Sequence, residues 1–208
     1  MTVARDTLLV KIDPDKPDKD AIAYAAGIIK GGGIVAFPTE TVYGLAANML
    51  DDKAVRRLCR IKSRPRGKPF TVHVADTGAV KKMGCRITRE AALLIRKFWP
   101  GPLTIILRSK SGVKLGFRMP ANAAALRLIR AAGVPVVAPS ANLSGGKPPA
   151  SAREALRDMG GKIDMILDAG RTKVGVESTV IDITSLRPVI LREGAISSKT
   201  LLKVLCTK

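Results

Sequence analysis

Apolar residues along this chain follow two rhythms: short runs that alternate or stay continuously apolar, and longer stretches in which they recur every three to four residues. The first rhythm predicts strands over Thr7 to Ile12, Ile34 to Phe37, Phe70 to Val74, Leu103 to Arg108, Leu115 to Met119 and Val134 to Ala138. It continues in Ile163 to Leu167, Ser178 to Ile183 and Pro188 to Arg192. The second predicts a helix over Asp20 to Lys30, with Ile22, Ala25, Ala26 and Ile29 on one face and Gly31-Gly32-Gly33 ending it. Further helices are expected from a cap at Asp51 or Asp52 to about Ile61, over Thr88 to Phe98, and from a cap at Asn122 to near Ala132. The capping box Ser151-Ala152-Arg153-Glu154 opens another, and a short helix runs from about Ser197 to Leu205. Strands interleaved with helices, without an internal repeat or low-complexity tract, predict one α/β or α+β domain.

Alternation also assigns faces. Phe70, Val72 and Val74 oppose Thr71 and His73, so the single histidine lies on a polar face. Leu115, Phe117 and Met119 oppose Lys114 and Arg118, which turns Arg118 away from the apolar side. A lone His without His or Cys companions is a poor metal ligand and is more often a hydrogen-bonded structural residue. Arg118 reads equally well as a surface cation or as a carboxylate clamp. Two apolar strands run into polar segments, Pro38-Thr39-Glu40-Thr41-Val42-Tyr43-Gly44-Leu45 and Pro139-Ser140-Ala141-Asn142-Leu143-Ser144-Gly145-Gly146. Strand ends are where α/β sheets place ligands, although Ser, Asn and Gly also make ordinary turns.

Charge sharpens this picture. The 36 Lys and Arg residues outnumber 17 Asp and Glu, for a net charge of +19, which favours phosphate-rich partners without choosing among nucleotide, RNA and DNA. Four cations crowd into Lys62-Ser63-Arg64-Pro65-Arg66-Gly67-Lys68-Pro69, among residues that cannot continue a helix, where they form either an anion grip or a solvated basic loop. One Trp, two Tyr and four Phe residues, none in an RNP-like cluster, disfavour single-strand readout by base stacking. Three scattered cysteines, Cys59, Cys85 and Cys206, without a CxxC pair, argue against a disulfide framework or structural zinc and read as core thiols. No apolar run of signal-peptide or membrane-spanning character is present, so a cytoplasmic protein is expected.

Three separated segments, Pro38-Thr39-Glu40-Thr41-Val42-Tyr43-Gly44-Leu45, Lys62-x-Arg64-x-x-x-Lys68-Pro69 and Pro139-Ser140-Ala141-Asn142, together resemble the YrdC-like family of L-threonylcarbamoyladenylate synthases. Trp99-Pro100-Gly101-Pro102, Arg118-Met119-Pro120, Glu177-Ser178-Thr179-Val180 and Arg192-Glu193-Gly194 extend the resemblance over nearly the whole chain. It implies an open, twisted, mixed sheet with flanking helices, a DHBP-synthase-like fold with a concave basic face, filling residues 1–208 as one domain of the single-domain kind. The reaction it implies joins L-threonine, bicarbonate or CO2, and ATP into threonylcarbamoyl-AMP and pyrophosphate. A downstream transferase complex then modifies adenosine 37 of tRNAs reading codons that begin with A.

By matching positions, Lys62, Arg64, Lys68, Ser140, Asn142 and Arg192 resemble the ATP-binding set, with Lys62, Arg64, Ser140 and Asn142 the expected catalytic groups. Thr41, His73, Arg118 and Ser178 resemble the threonine set, with Thr39 and the Ala138 backbone nearby and Lys114 aligned less securely. Mg2+ is expected with ATP, held by its phosphates, since the sequence supplies no all-protein metal cage. The chemistry fits the residues. A carbamate oxygen attacks the α-phosphorus and pyrophosphate leaves, which calls for positioning and cations rather than a covalent nucleophile. Weak, salt-sensitive binding of tRNA or double-stranded RNA fits the charge. A non-enzymatic RNA binder would need no threonine, and a divergent paralogue would be expected to lose Arg118, His73 and Ser178.

Overall fold

The computed structural model describes residues 6–64 and 69–206, so Lys68 and half of the basic loop around it lie outside the described residues. The strands are β1 (Leu8–Lys11), β2 (Val35–Phe37), β3 (Gly44–Asn48), β4 (Thr71–His73), β5 (Leu103–Arg108), β6 (Lys114–Arg118), β7 (Val136–Val137), β8 (Met165–Asp168), β9 (Thr179–Asp182) and β10 (Val189–Arg192). The helices are α1 (Lys19–Lys30), α2 (Asp52–Ile61), α3 (Gly78–Lys82), α4 (Arg89–Phe98), α5 (Ala123–Ala132), α6 (Ala152–Met159) and α7 (Ser198–Cys206). Their starts follow the cap chemistry: Asp51, Thr88, Asn122 and Ser151 accept from backbone N–H groups of the first turn. In the capping box the Glu154 carboxylate reaches back to the N–H of Ala150, one residue earlier than the motif predicts.

Two elements escape the hydrophobic pattern. β3 is buried on both faces and built of small apolar residues, so it carries no alternation, and α3 is five residues long, too short to display a helical period. β7 shrinks to two residues between Pro135 and Pro139, which lack ladder N–H groups. The cysteines differ from expectation as well: Cys85 is a core thiol, Cys59 is half-buried and Cys206 exposed.

All ten strands form one mixed sheet in the order β1-β8-β2-β3-β7-β4-β6-β5-β9-β10. One face packs Leu45, Val72, Phe117, Leu103, Ile105 and Ile181 against Leu58 of α2, Leu94 of α4, Met159 of α6 and Leu201 of α7. On the other, Val35, Phe37, Ala46, Val136 and Met165 pack against Ile22, Ala25 and Ile29 of α1 and Leu128 of α5. These two helices cover the half of that face made by β8, β2, β3 and β7. Across β4, β6, β5 and β9 the same pleat turns His73, Arg118, Thr104 and Ser178 into a cavity. The polar face read from alternation is the floor of this cavity.

Candidate active site

The cavity encloses about 110 Å³. Its walls include the turn after β2, the end of α2, the loop after β7 and the β9–β10 hairpin. Of the residues expected in the site, Thr39, Arg64, His73, Arg118, Ala138, Ser140, Ser178 and Arg192 line it. Thr41, fully buried, stands just behind, within 2.9 Å of the Thr39 hydroxyl. Lys62 and Asn142 are not on the wall, and Lys114 pairs with Asp182 at 2.8 Å, outside the cavity.

Arg118 is only 5% exposed, which overturns the surface-cation reading. Its Nη2 donates to Thr41 Oγ1 at 2.7 Å and lies 2.9 Å from Glu40 Oε1, a charge contact that lacks hydrogen-bond geometry. Its Nε is buried without a partner. Beside it, His73 is equally buried, meets Phe37 edge to face and leaves Nδ1 unpartnered. On the far wall the Ser178 and Thr104 hydroxyls sit 2.9 Å apart. Unspent buried donors and acceptors are costly in a finished core, and here they cluster around a space of ligand size.

Burial first, and the Arg118 charge second, depress the His73 pKa to about 3. The unfolded side chain titrates near 6.5, so between those values the unfolded chain binds more protons than the folded one. The contribution of this group to stability is therefore complete above pH 6.5 and is lost as pH falls towards 3. Calorimetric melting across that window should show a decline that His73→Asn makes shallower. Equal slopes in the two proteins would mean that His73 is not held neutral.

The second cluster is cationic. α2 ends in a reversal with Ser63 at φ 50°, a left-handed position usually given to glycine, closed by N–H bonds from Ser63 to Arg60 O and from Arg64 to Cys59 O. This turn sends Arg64 towards the cavity, where its guanidinium lies 4.7 Å above the Phe70 ring. Burial, with the nearby Arg192 charge adding to it, lowers the Arg64 pKa. The Lys62 side chain turns to the loop after β7. Its ammonium is buried and donates to the carbonyls of Ser140 and Asn142, while Ser144 N–H bonds to the Lys62 carbonyl at 2.9 Å. It braces the loop after β7. Burial first, then Arg64, lowers its pKa to about 8.

Arg192 is aimed by its surroundings. A register shift in β10 between Ile190 and Arg192 turns the strand. Arg192 then donates from Nε and Nη2 to Ser178 O at 3.1 and 2.9 Å and pairs through Nη1 with Glu177 at 2.8 Å. The segment that follows crosses β9 so closely that a Cβ on Gly194 would stand 2.3 Å from Glu177 O. Thr179 Oγ1 holds it there, accepting from Gly194 and Ile196 N–H and donating to Ile196 O. Sequence reasoning missed Glu40, Thr104 and Glu177. Thr104 was findable, as a polar residue opposite Leu103, Ile105 and Leu107 in an otherwise apolar strand.

The arrangement offers a carboxylate-sized pocket of buried donors and hydroxyls continuous with a wall of two arginines. Among the described residues no group of three or more His, Cys, Asp and Glu side chains could hold a metal ion. No helix among them is long and apolar enough to cross a membrane.

Residues 27–194 match the Sua5/YciO/YrdC family, described as telomere recombination. The chain is similar to the threonylcarbamoyl-AMP synthase of Pyrococcus abyssi (strain GE5 / Orsay), with 45% identity over 193 residues, 88% of this chain and 57% of that protein. It is also similar to the threonylcarbamoyl-AMP synthase of Bacillus subtilis (strain 168), with 42% identity over 188 residues, 86% of this chain and 54% of that protein. A solved structure of P. abyssi Sua5 complexed with L-threonine aligns with a TM-score of 0.91 at 42% identity, over 96% of this chain and 61% of that one. The chain thus spans little more than half the length of these two relatives.

Proposed function

We propose, because the chain belongs to the Sua5/YciO/YrdC family, that it is a threonylcarbamoyl-AMP synthase, joining L-threonine, bicarbonate or CO2, and ATP with release of pyrophosphate. The observation that carries this reading is the pairing of unspent polar atoms, Arg118 Nε and His73 Nδ1, with an adjoining arginine wall in one cavity. A relative of 42% identity is described as complexed with L-threonine, which supports placing the amino acid over Arg118, His73 and Ser178. The guanidinium would grip the carboxylate and the Ser178 hydroxyl the polar remainder, with Thr41 one layer back against Arg118. Arg64 and Arg192 would face the triphosphate and oppose the charge that grows on its oxygens as the carbamate attacks the α-phosphorus. Lys62 and Asn142 would act one layer back, by holding the loop that presents Ser140.

Neutral His73 suits a hydrogen-bonding role better than proton transfer, since its pKa of about 3 is far from working pH. Mg2+ would enter with ATP and be held by phosphate oxygens, Glu177 being a carboxylate at hand beside Arg192. The product would pass to a threonylcarbamoyl transferase acting on adenosine 37 of tRNA.

Pyrophosphate release from ATP with Mg2+ and bicarbonate, measured with L-threonine, with L-serine and without amino acid, tests the reading. Release that requires L-threonine supports it. Release indifferent to the amino acid overturns it, and so would a tight, salt-insensitive RNA complex from a chain with no such activity.

A further inference from the structure

The reading above leaves one buried charge unused. Glu40 is 7% exposed, neither of its carboxylate oxygens has a hydrogen-bond partner, and Oε1 lies 2.9 Å from Arg118 Nη2. A carboxylate kept only for the stability of the fold would ordinarily be satisfied by N–H or O–H donors. Its backbone is pinned on both sides. Val174 N–H bonds to Glu40 O at 2.9 Å and Gly175 N–H to Thr41 O at 2.9 Å. The Thr39 hydroxyl donates to Val42 O at 2.6 Å, accepts from the Thr41 and Val42 N–H groups, and contacts the Thr41 hydroxyl. With this turn fixed, Glu40 has little freedom to follow a ligand.

We propose that Glu40 is a positioning residue for the ligand carboxylate: with Thr41 it holds Arg118 by Nη2, which leaves Nη1, with the Nε–H beside it, as the donors offered to the bound acid. The inference rests on the proposed threonine site. A guanidinium has five donors in a rigid fork, so fixing one nitrogen by two neighbours sets the direction of the rest. Glu40 also supplies the countercharge that lets a cation remain buried in the empty site. Its neighbour Thr41 adds direction without charge.

Calorimetric titration of L-threonine and of ATP into the wild type, Glu40→Gln and Glu40→Asp, with melting temperatures alongside, tests this. Glu40→Gln keeps the shape and removes the charge. It should weaken L-threonine roughly tenfold, the worth of one charge-assisted contact, with ATP affinity unchanged, and Glu40→Asp should recover part of the loss. An NMR readout is independent of affinity. The Arg118 Nε–H resonance should shift on addition of L-threonine to the wild type, and shift less at saturation in Glu40→Gln.

Unchanged or tighter threonine binding in Glu40→Gln would make Glu40 a competing counter-ion and overturn the inference. Parallel losses of ATP binding, threonine binding and melting temperature would overturn it in favour of a purely structural role. Should Glu40→Gln fail to fold, Glu40→Asp decides alone, since a shortened carboxylate that left threonine affinity and the Nε–H shift at wild-type values would refute positioning. A wild type that binds no L-threonine would overturn the threonine site itself, an outcome distinct from all of these.

Discussion

Replacing Arg118 by alanine is expected to abolish threonine binding and to lower stability by about 3 to 5 kcal/mol, because it strands Glu40 as a buried carboxylate without a counter-ion. Few single changes in this chain should cost more. The buried pair is not strongly stabilising in itself, since taking two charges out of water offsets most of their attraction, so removing one partner is far worse than removing both. The double variant Arg118→Met with Glu40→Gln should accordingly recover much of the lost stability and none of the binding. Arg118→Lys keeps the countercharge but loses the planar fork, so it should fold nearly as well as wild type and bind threonine more weakly, with ATP affinity barely moved. Chemical denaturation and separate titrations of the two substrates check each statement. Selective loss of ATP binding in Arg118→Ala would place this residue in the phosphate set and break the division of the site.

Lys62→Met should cut adenylate formation by about 100-fold or more, through displacement of Ser140 rather than through a lost phosphate contact. The apolar stem is kept, but the Ser140 and Asn142 carbonyls lose the ammonium that now satisfies them, at roughly 1 to 3 kcal/mol for each group left buried and unpaired. The pH dependence separates brace from charge. With a folded pKa of about 8 against 10.5 in the unfolded chain, Lys62 sheds its proton first in the folded state, so its contribution to stability rises as pH climbs from 8 to 10.5. A neutral amine still donates hydrogen bonds and so still braces the loop. Activity lost above pH 8 while melting temperature holds would assign Lys62 an electrostatic share in ATP binding. Activity that stays flat through that limb would leave the brace as its whole role.

Much of this site was legible in the sequence because its polar residues form the second face of strictly alternating strands. Thr71 and His73 in β4 and Arg118 in β6 each fall on the face opposite the apolar set, and the structure turns that face into the cavity. What alternation cannot give is depth: the same pattern describes a solvated sheet face and a pocket floor. The difference is made by the loops after β2 and β7 and by the β9–β10 hairpin, which wall that half of the sheet. Lys62 shows the reverse failure. A basic run with Pro and Gly reads as exposed, yet its first cation lies at a helix end under the Ser140 loop and is nearly inaccessible to water. Glu40 was passed over because a lone acid between two threonines has no periodic signature. Its meaning arises only when the chain brings position 118 beside it.

The strand order carries a consequence for how the protein breathes. The groups around the cavity come from positions 39 to 192, and β2, β4, β6 and β9 are interleaved with β3, β7 and β5, so no short stretch of the chain contains the cavity. Fraying of any one of the strands that carry these groups removes part of the wall. A ligand seated there is therefore lost in almost every partially open form and retained only by the fully native one. Amide exchange should reveal this as slowing spread across the central sheet, reaching ladder N–H groups with no ligand contact, while the outermost strand β1 keeps its own faster rate.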